Sequence, residues 1–361
     1  MVLVRVDIVA LILSFFLVEG KQVTLSNTQL PKDINGNLLL TGEMTVLADA
    51  GAWFLYMNDW GGCPGIDCCN VKGWSGCSTC CFTKPPLTDP CVYTANHTVV
   101  AYKTSDWESF FPLGEVLRPV DRLPGIEFRP QVIKCPATGT YVMWYEDRWS
   151  SGTNRGYAVA HSQNASGPFI TVANSVILPG NGRVGDYDVF VDDESGISYH
   201  VRTGLTIVEL AANCSAPAEG ATPVEIPNGG VEGPALFKRL GIYYLLVGVG
   251  CCACKGGSNV IVYTSSQSPL GPWMQMGDVG SNTTEGHIFD PRSPYNYVTR
   301  AQQTKVINIS NQFLWLGNQW VTSTLPGNPR NSDLLYFTVL NFSDDGNITQ
   351  MVREDSCTIS V

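Results

Sequence analysis

Apolar residues along this chain come in short runs rather than at helical spacing. Residues 52–57, 98–102, 131–133, 141–145, 157–160, 189–191, 198–201 and 205–210 are rich in Val, Ile, Leu and aromatic side chains. The same holds for 235–238, 242–247, 260–263, 306–309, 313–316 and 334–340, and Gly, Pro, Asn and Asp separate the runs. Runs of this length and punctuation predict β-strands joined by turns, and no window beyond the first 20 residues repeats apolar positions at three-and-four spacing over several turns. The chain is therefore expected to be all-β, as a sandwich, a barrel or a propeller.

An internal echo selects among these. "RPQVIKCPATGTYVMWYE" followed by "GYAVAHSQNASGPF" has the same order as "GPALFKRLGIYYLLVG" followed by "NVIVYTSSQSPLGPW". Each reads as strand, tight turn, aromatic strand, third strand, then Ser-Gln, three residues, and Gly-Pro-aromatic at Ser162–Phe169 and Ser266–Trp273. Weaker units run over 52–113, 186–214 and from 302 to the C-terminus. Five units of four-stranded character predict a five-bladed β-propeller over residues 21–361, as a single domain.

The ends and composition set the compartment. Residues 1–20 place Arg5 before the apolar run 8–18 and finish in small or medium side chains, which reads as a cleaved signal peptide. Seven Asn-x-Ser/Thr sequons, at Asn96, Asn164, Asn213, Asn282, Asn308, Asn341 and Asn347, fit a secreted glycoprotein, and the 13 cysteines fit an oxidising compartment. Loss of residues 1–20 leaves 21 basic and 30 acidic residues, without a basic run. Nucleic acid and anionic membrane are poor partners for such a chain. The four histidines, at 97, 161, 200 and 287, lack metal-ligand spacing, and no phosphate loop or serine-hydrolase elbow is present, so neither metal nor cofactor is expected.

Seven cysteines, from Cys63 to Cys91, lie in a Gly-, Pro- and Ser-rich stretch, an insertion over 61–91 that reads as a disulfide-stapled loop. A second cluster spans Cys251–Cys254, and a disulfide between the two would fix the wall of a cleft if both face one rim. Thirteen is odd, so at least one thiol is free or paired to another chain. Trp60 and Trp74, beside and within the insertion, are candidate platforms on which a sugar ring stacks. Trp144, inside a β-run, is assigned to the core.

The ordered stretches "RPQVIKCPATGTYVMWYE", "DYDVFVDDESGISYHV", "VEGPALFKRLGIYYLL", "SSQSPLGPW" and "AQQTKV" resemble glycoside hydrolase family 43, and within it the exo-acting β-1,3-galactanases, over roughly residues 127–320. The resemblance implies a five-bladed propeller and hydrolysis of galactan with inversion, by a monomer acting on a glycan. It places the general acid at Glu232, in Glu-x-Pro-x-Phe-Lys, and the carboxylate that tunes it at Asp186, with Asp188 as rival. A carboxyl group pressed against an aromatic strand keeps its proton near neutral pH, and a nearby negative charge raises its pKa further. Most of the family takes its base from an Asp near the N-terminus, and "NLLLTGEMTVLADAGAWFLY" shows no clear counterpart. By resemblance Gln302 stands there, to orient water or act through an unusual tautomer. The related Glu-Arg-Pro-Lys motif reads here Phe128-Arg129-Pro130-Gln131, so Phe128 replaces a Glu that lines the sugar site. Arg129 is expected to bind a sugar hydroxyl or hold a carboxylate, and Glu127 reaches the site only through a local bulge. Another glycan, or binding without catalysis, are the competing readings.

Overall fold

Each predicted apolar run becomes a strand that pairs antiparallel with its sequence neighbour, in a computed structural model describing residues 20–59, 97–148, 154–227, 231–249, 259–281, 298–299, 301–319 and 333–361. Blade 1 is β2 (Thr45–Asp49), β3 (Ala52–Asp59), β4 (Thr98–Thr104) and β5 (Phe111–Leu117), numbered after an N-terminal strand β1 (Gln22–Ser26). Blade 2 is β6 (Ile126–Lys134), β7 (Tyr141–Arg148), β8 (Asn154–Ser162) and β9 (Ile170–Val176). Blade 3 is β10 (Tyr187–Val191), β11 (Ser198–Arg202), β12 (Thr206–Glu209) and β13 (Val224–Glu225). Blade 4 is β14 (Val231–Arg239), β15 (Ile242–Val249), β16 (Ile261–Ser265) and β17 (Met274–Asp278). Blade 5 is β18 (Gln302–Ile309), β19 (Gln312–Gln319) and β20 (Leu334–Val339).

The first strands of the blades, β2, β6, β10, β14 and β18, contact one another in turn, and β18 contacts β2, which closes the ring. β1 pairs with the C-terminal strand β21 (Ser356–Ser360) beside β20, so both chain ends fasten one blade. Asn27 secures that junction: its Nδ2 donates to the Phe337 carbonyl at 3.0 Å and its Oδ1 accepts the Phe337 N–H at 2.7 Å. The architecture is the expected five-bladed propeller. Two details differ from the sequence reading. The weak first unit begins at β2 rather than at residue 52, because a five-residue strand, TVLAD, carries too few apolar positions to stand out. The last unit ends in a strand paired with the other end of the chain.

Five apolar clusters fill the seams between blades. Met57 and Val46 meet Leu316 and Leu335 between blades 1 and 5, and Tyr56 and Val99 meet Val132 and Met143 between blades 1 and 2. Trp144 is fully buried with Val189 and Val208 between blades 2 and 3. Ile207 packs with Leu245 between blades 3 and 4, and Phe237 with Trp315 between blades 4 and 5. Trp315 thus belongs to the core, its Nε1 donating to Gln303 Oε1 at 3.2 Å. Cys135 at the end of β6 and Cys214 after β12 form a disulfide that ties blades 2 and 3, and Cys357 is a buried free thiol. Both Gly-Pro bonds of the repeated motif, at 167–168 and 271–272, are cis. No helix among the described residues is long and apolar enough to cross a membrane.

Every first strand runs from one end of the ring to the other, so its starting residues gather at a single mouth.

Candidate active site

Glu43, Asp186, Glu232 and Gln302 each stand at or just before the start of a first strand, and Arg129 stands four residues into β6, one residue per blade. Local irregularities deliver three of them. β6 carries a bulge between Phe128 and Gln131, and Arg129 within it has a left-handed backbone (φ 51°). β14 carries one between Glu232 and Ala235, and β18 one between Gln303 and Lys305. A bulge re-aims side chains without ending the strand. Gly233, inside the β14 bulge at φ 57°, lies so close to β18 that an added Cβ would come to 3.1 Å of the Gln303 carbonyl oxygen. Glycine is required there both for the backbone angle and for the approach.

Asp186 is the centre of the cluster. Its Oδ1 is 2.7 Å from Arg129 Nε, and its Oδ2 accepts from Gly233 N at 3.0 Å and from Gln302 Nε2 at 2.9 Å. Blades 2, 4 and 5 therefore converge on one carboxylate from blade 3. Arg129 is 2% exposed; its carbonyl accepts the Tyr187 hydroxyl at 2.6 Å and its Nη1 donates to the Gln303 carbonyl at 3.2 Å. A guanidinium fixed this firmly holds a carboxylate rather than searching for one.

Glu232 sits beside this pair, half-buried, opposite Gly248 on β15. Its carboxyl group is pushed up from 4.5 to about 7, first by burial and then by the negative charge of Asp186 and Glu146, with Arg129 pulling the other way. Burial raises a carboxyl pKa because the charged form loses hydration, and a like charge adds to the effect.

Asp186 and Asp188 differ in depth. Two residues apart, they share a face of the strand, but Asp188 lies farther along the channel and is fully buried. It pairs with Lys305 Nζ and accepts the Leu236 N–H at 2.8 Å. Burial raises its pKa while Lys305 opposes the rise. Asp188 holds blades 3, 4 and 5 together and does not join the cluster at the mouth.

Glu127 is not drawn into the site. The bulge begins one residue too late, presenting Arg129, while Glu127 is buried beside His97 Nε2 and Arg122 Nε, each 3.4 Å from a carboxylate oxygen. Burial pushes it up to about 7, with Arg122 opposing and Asp147 adding. Trp60 and Trp74, the insertion 61–91 and Cys251–Cys254 lie outside the described residues.

Two acidic residues of the site were missed in the sequence. Glu43 is 4% exposed, accepts the Arg129 N–H at 2.7 Å and Asn58 Nδ2 at 3.1 Å, and is pushed up to about 7 by burial against the pull of Arg129. Glu146 on β7, directly opposite Phe128, is 2% exposed and acts electrostatically on Glu43, Arg129 and Glu232. A recognised β2 would have exposed Glu43, which precedes it as Asp186 precedes β10. Nothing in "MWYED" distinguishes Glu146. Among the described residues no His, Cys, Asp and Glu cluster is arranged to hold a metal.

A family-wide sequence profile, Glycosyl hydrolases family 43, matches residues 97–322. A β-D-galactofuranosidase of Aspergillus niger is 28% identical over 160 residues, covering 41% of this chain; the match spans about half, 46%, of that relative's length. Among solved structures, a β-1,3-galactosidase bound to galactodeoxynojirimycin superposes with a TM-score of 0.67 at 19% identity, over 92% of this chain and 99% of that one. The exo-β-1,3-galactanase of Phanerochaete chrysosporium with galactose gives 0.67 at 19% identity, over 93% and 68%. The exo-β-1,3-galactanase of Clostridium thermocellum gives 0.67 at 22%, over 92% and 66%. At such identities the likeness to solved structures is one of fold.

Proposed function

The chain belongs to glycosyl hydrolases family 43, and from that premise we propose that it is a glycoside hydrolase that removes galactose from the ends of β-1,3-linked galactan with inversion at the anomeric carbon. The observation that carries this reading is Glu232: a carboxyl group with a pKa of about 7 at the mouth of the channel, beside a carboxylate that Arg129 holds in place. A general acid works best when its pKa lies near the working pH.

In this mechanism Glu232 gives its proton to the glycosidic oxygen as the bond to the departing sugar breaks. Asp186, anchored by Arg129, Gly233 and Gln302, keeps the acid protonated until then and orients it. Water attacks from the opposite face, and the carboxyl groups of an inverting pair stand ~6.5–9.5 Å apart to admit it. Gln302 stands beside Asp186 at that mouth and orients the water. Four carboxylates, Glu43, Glu146, Asp186 and Glu232, surround Arg129, a setting that favours a neutral sugar over a sulfated one. Named relatives of similar fold were solved with galactose or a galactose-shaped iminosugar, which supports galactose as the residue released.

Secretion belongs to the same reading. The sequons at Asn164, Asn213, Asn341 and Asn347 fall in segments that follow third strands, and Asn308 is the penultimate residue of the first strand β18. Those segments lie at the end of the ring away from the site, where glycans would leave the mouth open.

The test is incubation of purified protein with β-1,3-galactan, following product by NMR, beside Glu232→Gln. Release of galactose as the α-anomer, lost in the variant, is the expected result. Galactose appearing first as the β-anomer, or undiminished turnover in Glu232→Gln, refutes the mechanism. The galactofuranosidase relative favours one other reading, the same chemistry on a furanoside, which the identity of the released sugar separates.

A further inference from the structure

The end of the channel opposite the mouth holds a well. Its volume is about 750 Å³, and all five first strands line it, a size within the ~300–1,000 Å³ usual for ligand pockets. Val46, Val132, Val189, Leu236 and Val306, one from each blade, supply its apolar wall. Lys305 is the innermost lining residue of β18, and its pair with Asp188 lies between the well and the mouth. We propose that the N-glycan carried by Asn308 folds back into this well and fills it, so that the far end of the channel is a saccharide site occupied by the protein's own sugar; this rests on the secretion reading above.

The lining selects the guest. Each lysine of the well already has a carboxylate: Lys305 has Asp188, Lys134 has Asp49 at 2.9 Å, and Lys238 has Asp192 at 2.9 Å and Glu194 at 3.0 Å. An ionic guest would have to break one of these pairs. A neutral sugar does not. Its C–H faces meet the valines and the half-buried Phe190, and its hydroxyl groups meet Asp193, Glu194 and Arg239. Such a wall with a few polar groups is the usual make-up of a small-ligand site.

The tether stands on the rim. Asn308, in Asn-Ile-Ser, is an exposed residue lining the well, on the same strand face as Val306 and directly across from Phe313. The hairpin that follows turns through two residues, Ser310 (φ 49°) and Asn311 (φ 67°), the left-handed pair of a tight turn. Asn311 N donates to Asn308 Oδ1 at 2.9 Å and fixes the side chain, while Nδ2, the atom that carries a glycan, makes no hydrogen bond to the described residues. Ser310 is exposed too, so the whole acceptor stands clear. A sugar on so short a tether is present at an effective concentration on the order of millimolar. Contacts too weak to hold a soluble sugar therefore keep this one in place.

The experiment uses protein secreted from a eukaryotic host, treated with a peptide-N-glycosidase in the native state and after denaturation, with each sequon followed by peptide mass spectrometry. Asn308 should carry a glycan, and its native release should be at least about tenfold slower than release from the exposed turn at Asn164, which corresponds to ~1.4 kcal/mol of preference for the well. Denaturation should make the two rates equal. Ala48→Trp, at an exposed lining position on β2, fills the well and should make them equal in the native state. If that variant does not fold, Leu240→Trp at an 83% exposed lining position repeats the test. Native release from Asn308 as fast as from Asn164 overturns the proposal and leaves the well to a soluble guest. Slow release that survives the filled well assigns the protection to the hairpin itself and overturns it too. An empty Asn308 beside other occupied sequons overturns the proposal and leaves secretion standing, whereas no glycan at any sequon overturns both.

Discussion

Asp186→Asn removes one negative charge and almost no volume, so it isolates what that charge does to Glu232. Two unit charges ~4–6 Å apart at an effective dielectric near 20 interact by roughly 3–4 kcal/mol. One pKa unit corresponds to ~1.4 kcal/mol, so a charge at such a distance is worth roughly two to three units as an upper bound. Wild-type Glu232 stands at about 7 against an ordinary 4.5, with burial the largest cause and Asp186 the next. Burial survives the substitution, and Arg129, relieved of its partner, pulls Glu232 further down. The carboxyl group should therefore fall by about one to two units without reaching the ordinary value. Glu232 acts as an acid only while protonated, so activity is lost as pH rises through its pKa. The alkaline limb of kcat should accordingly move to lower pH, and rate loss relative to wild type should be greatest on the alkaline side. Carbon-13 NMR of labelled glutamate gives the same titration without turnover. A limb that stays in place, or moves up, refutes the electrostatic role of Asp186.

Four further outcomes are expected. Lys305→Met strands the buried Asp188 carboxylate, and breaking such a pair costs ~3–5 kcal/mol in urea denaturation; a loss below about 1 kcal/mol would show that Asp188 simply takes a proton. Cys135→Ala with Cys214→Ala opens a closure of 79 residues, worth about 4–5 kcal/mol in a chain-entropy estimate, readable by calorimetry. Glu127, raised from 4.5 to about 7, binds its proton more tightly folded than unfolded. Its contribution to stability, ~3 kcal/mol, is complete below the ordinary value and declines as pH rises toward the folded one, so Glu127→Gln should flatten the fall of Tm with pH. Enzymatic removal of N-glycans should lower the mass of secreted protein and leave kcat unchanged, because the described sequons lie away from the mouth; a drop in kcat would mean that a glycan reaches the site.

The strands and their grouping were legible in the chain because they depend on local pattern. Alternation, turn residues and the repeated Ser-Gln to Gly-Pro-aromatic unit act over fewer than about 20 residues, the span of a hairpin. Asp186, Glu232 and Gln302 were singled out by the family resemblance, and the structure brings Asp186 and Gln302 together with Arg129 and places Glu232 beside them. Relations between distant segments were not legible. A bulge that begins after Phe128 sends Arg129 to the mouth and Glu127 into a separate buried cluster, and alternation alone cannot locate such a break in register. Depth along the channel separates Asp186 from Asp188, although both point to the same face. Sequence alone determined that this chain folds as five blades. Only the closed ring decided that Glu43 joins Arg129 at the mouth, that Cys135 meets Cys214 and that β1 meets β21, because each depends on where segments far apart in sequence come to lie once the blades pack.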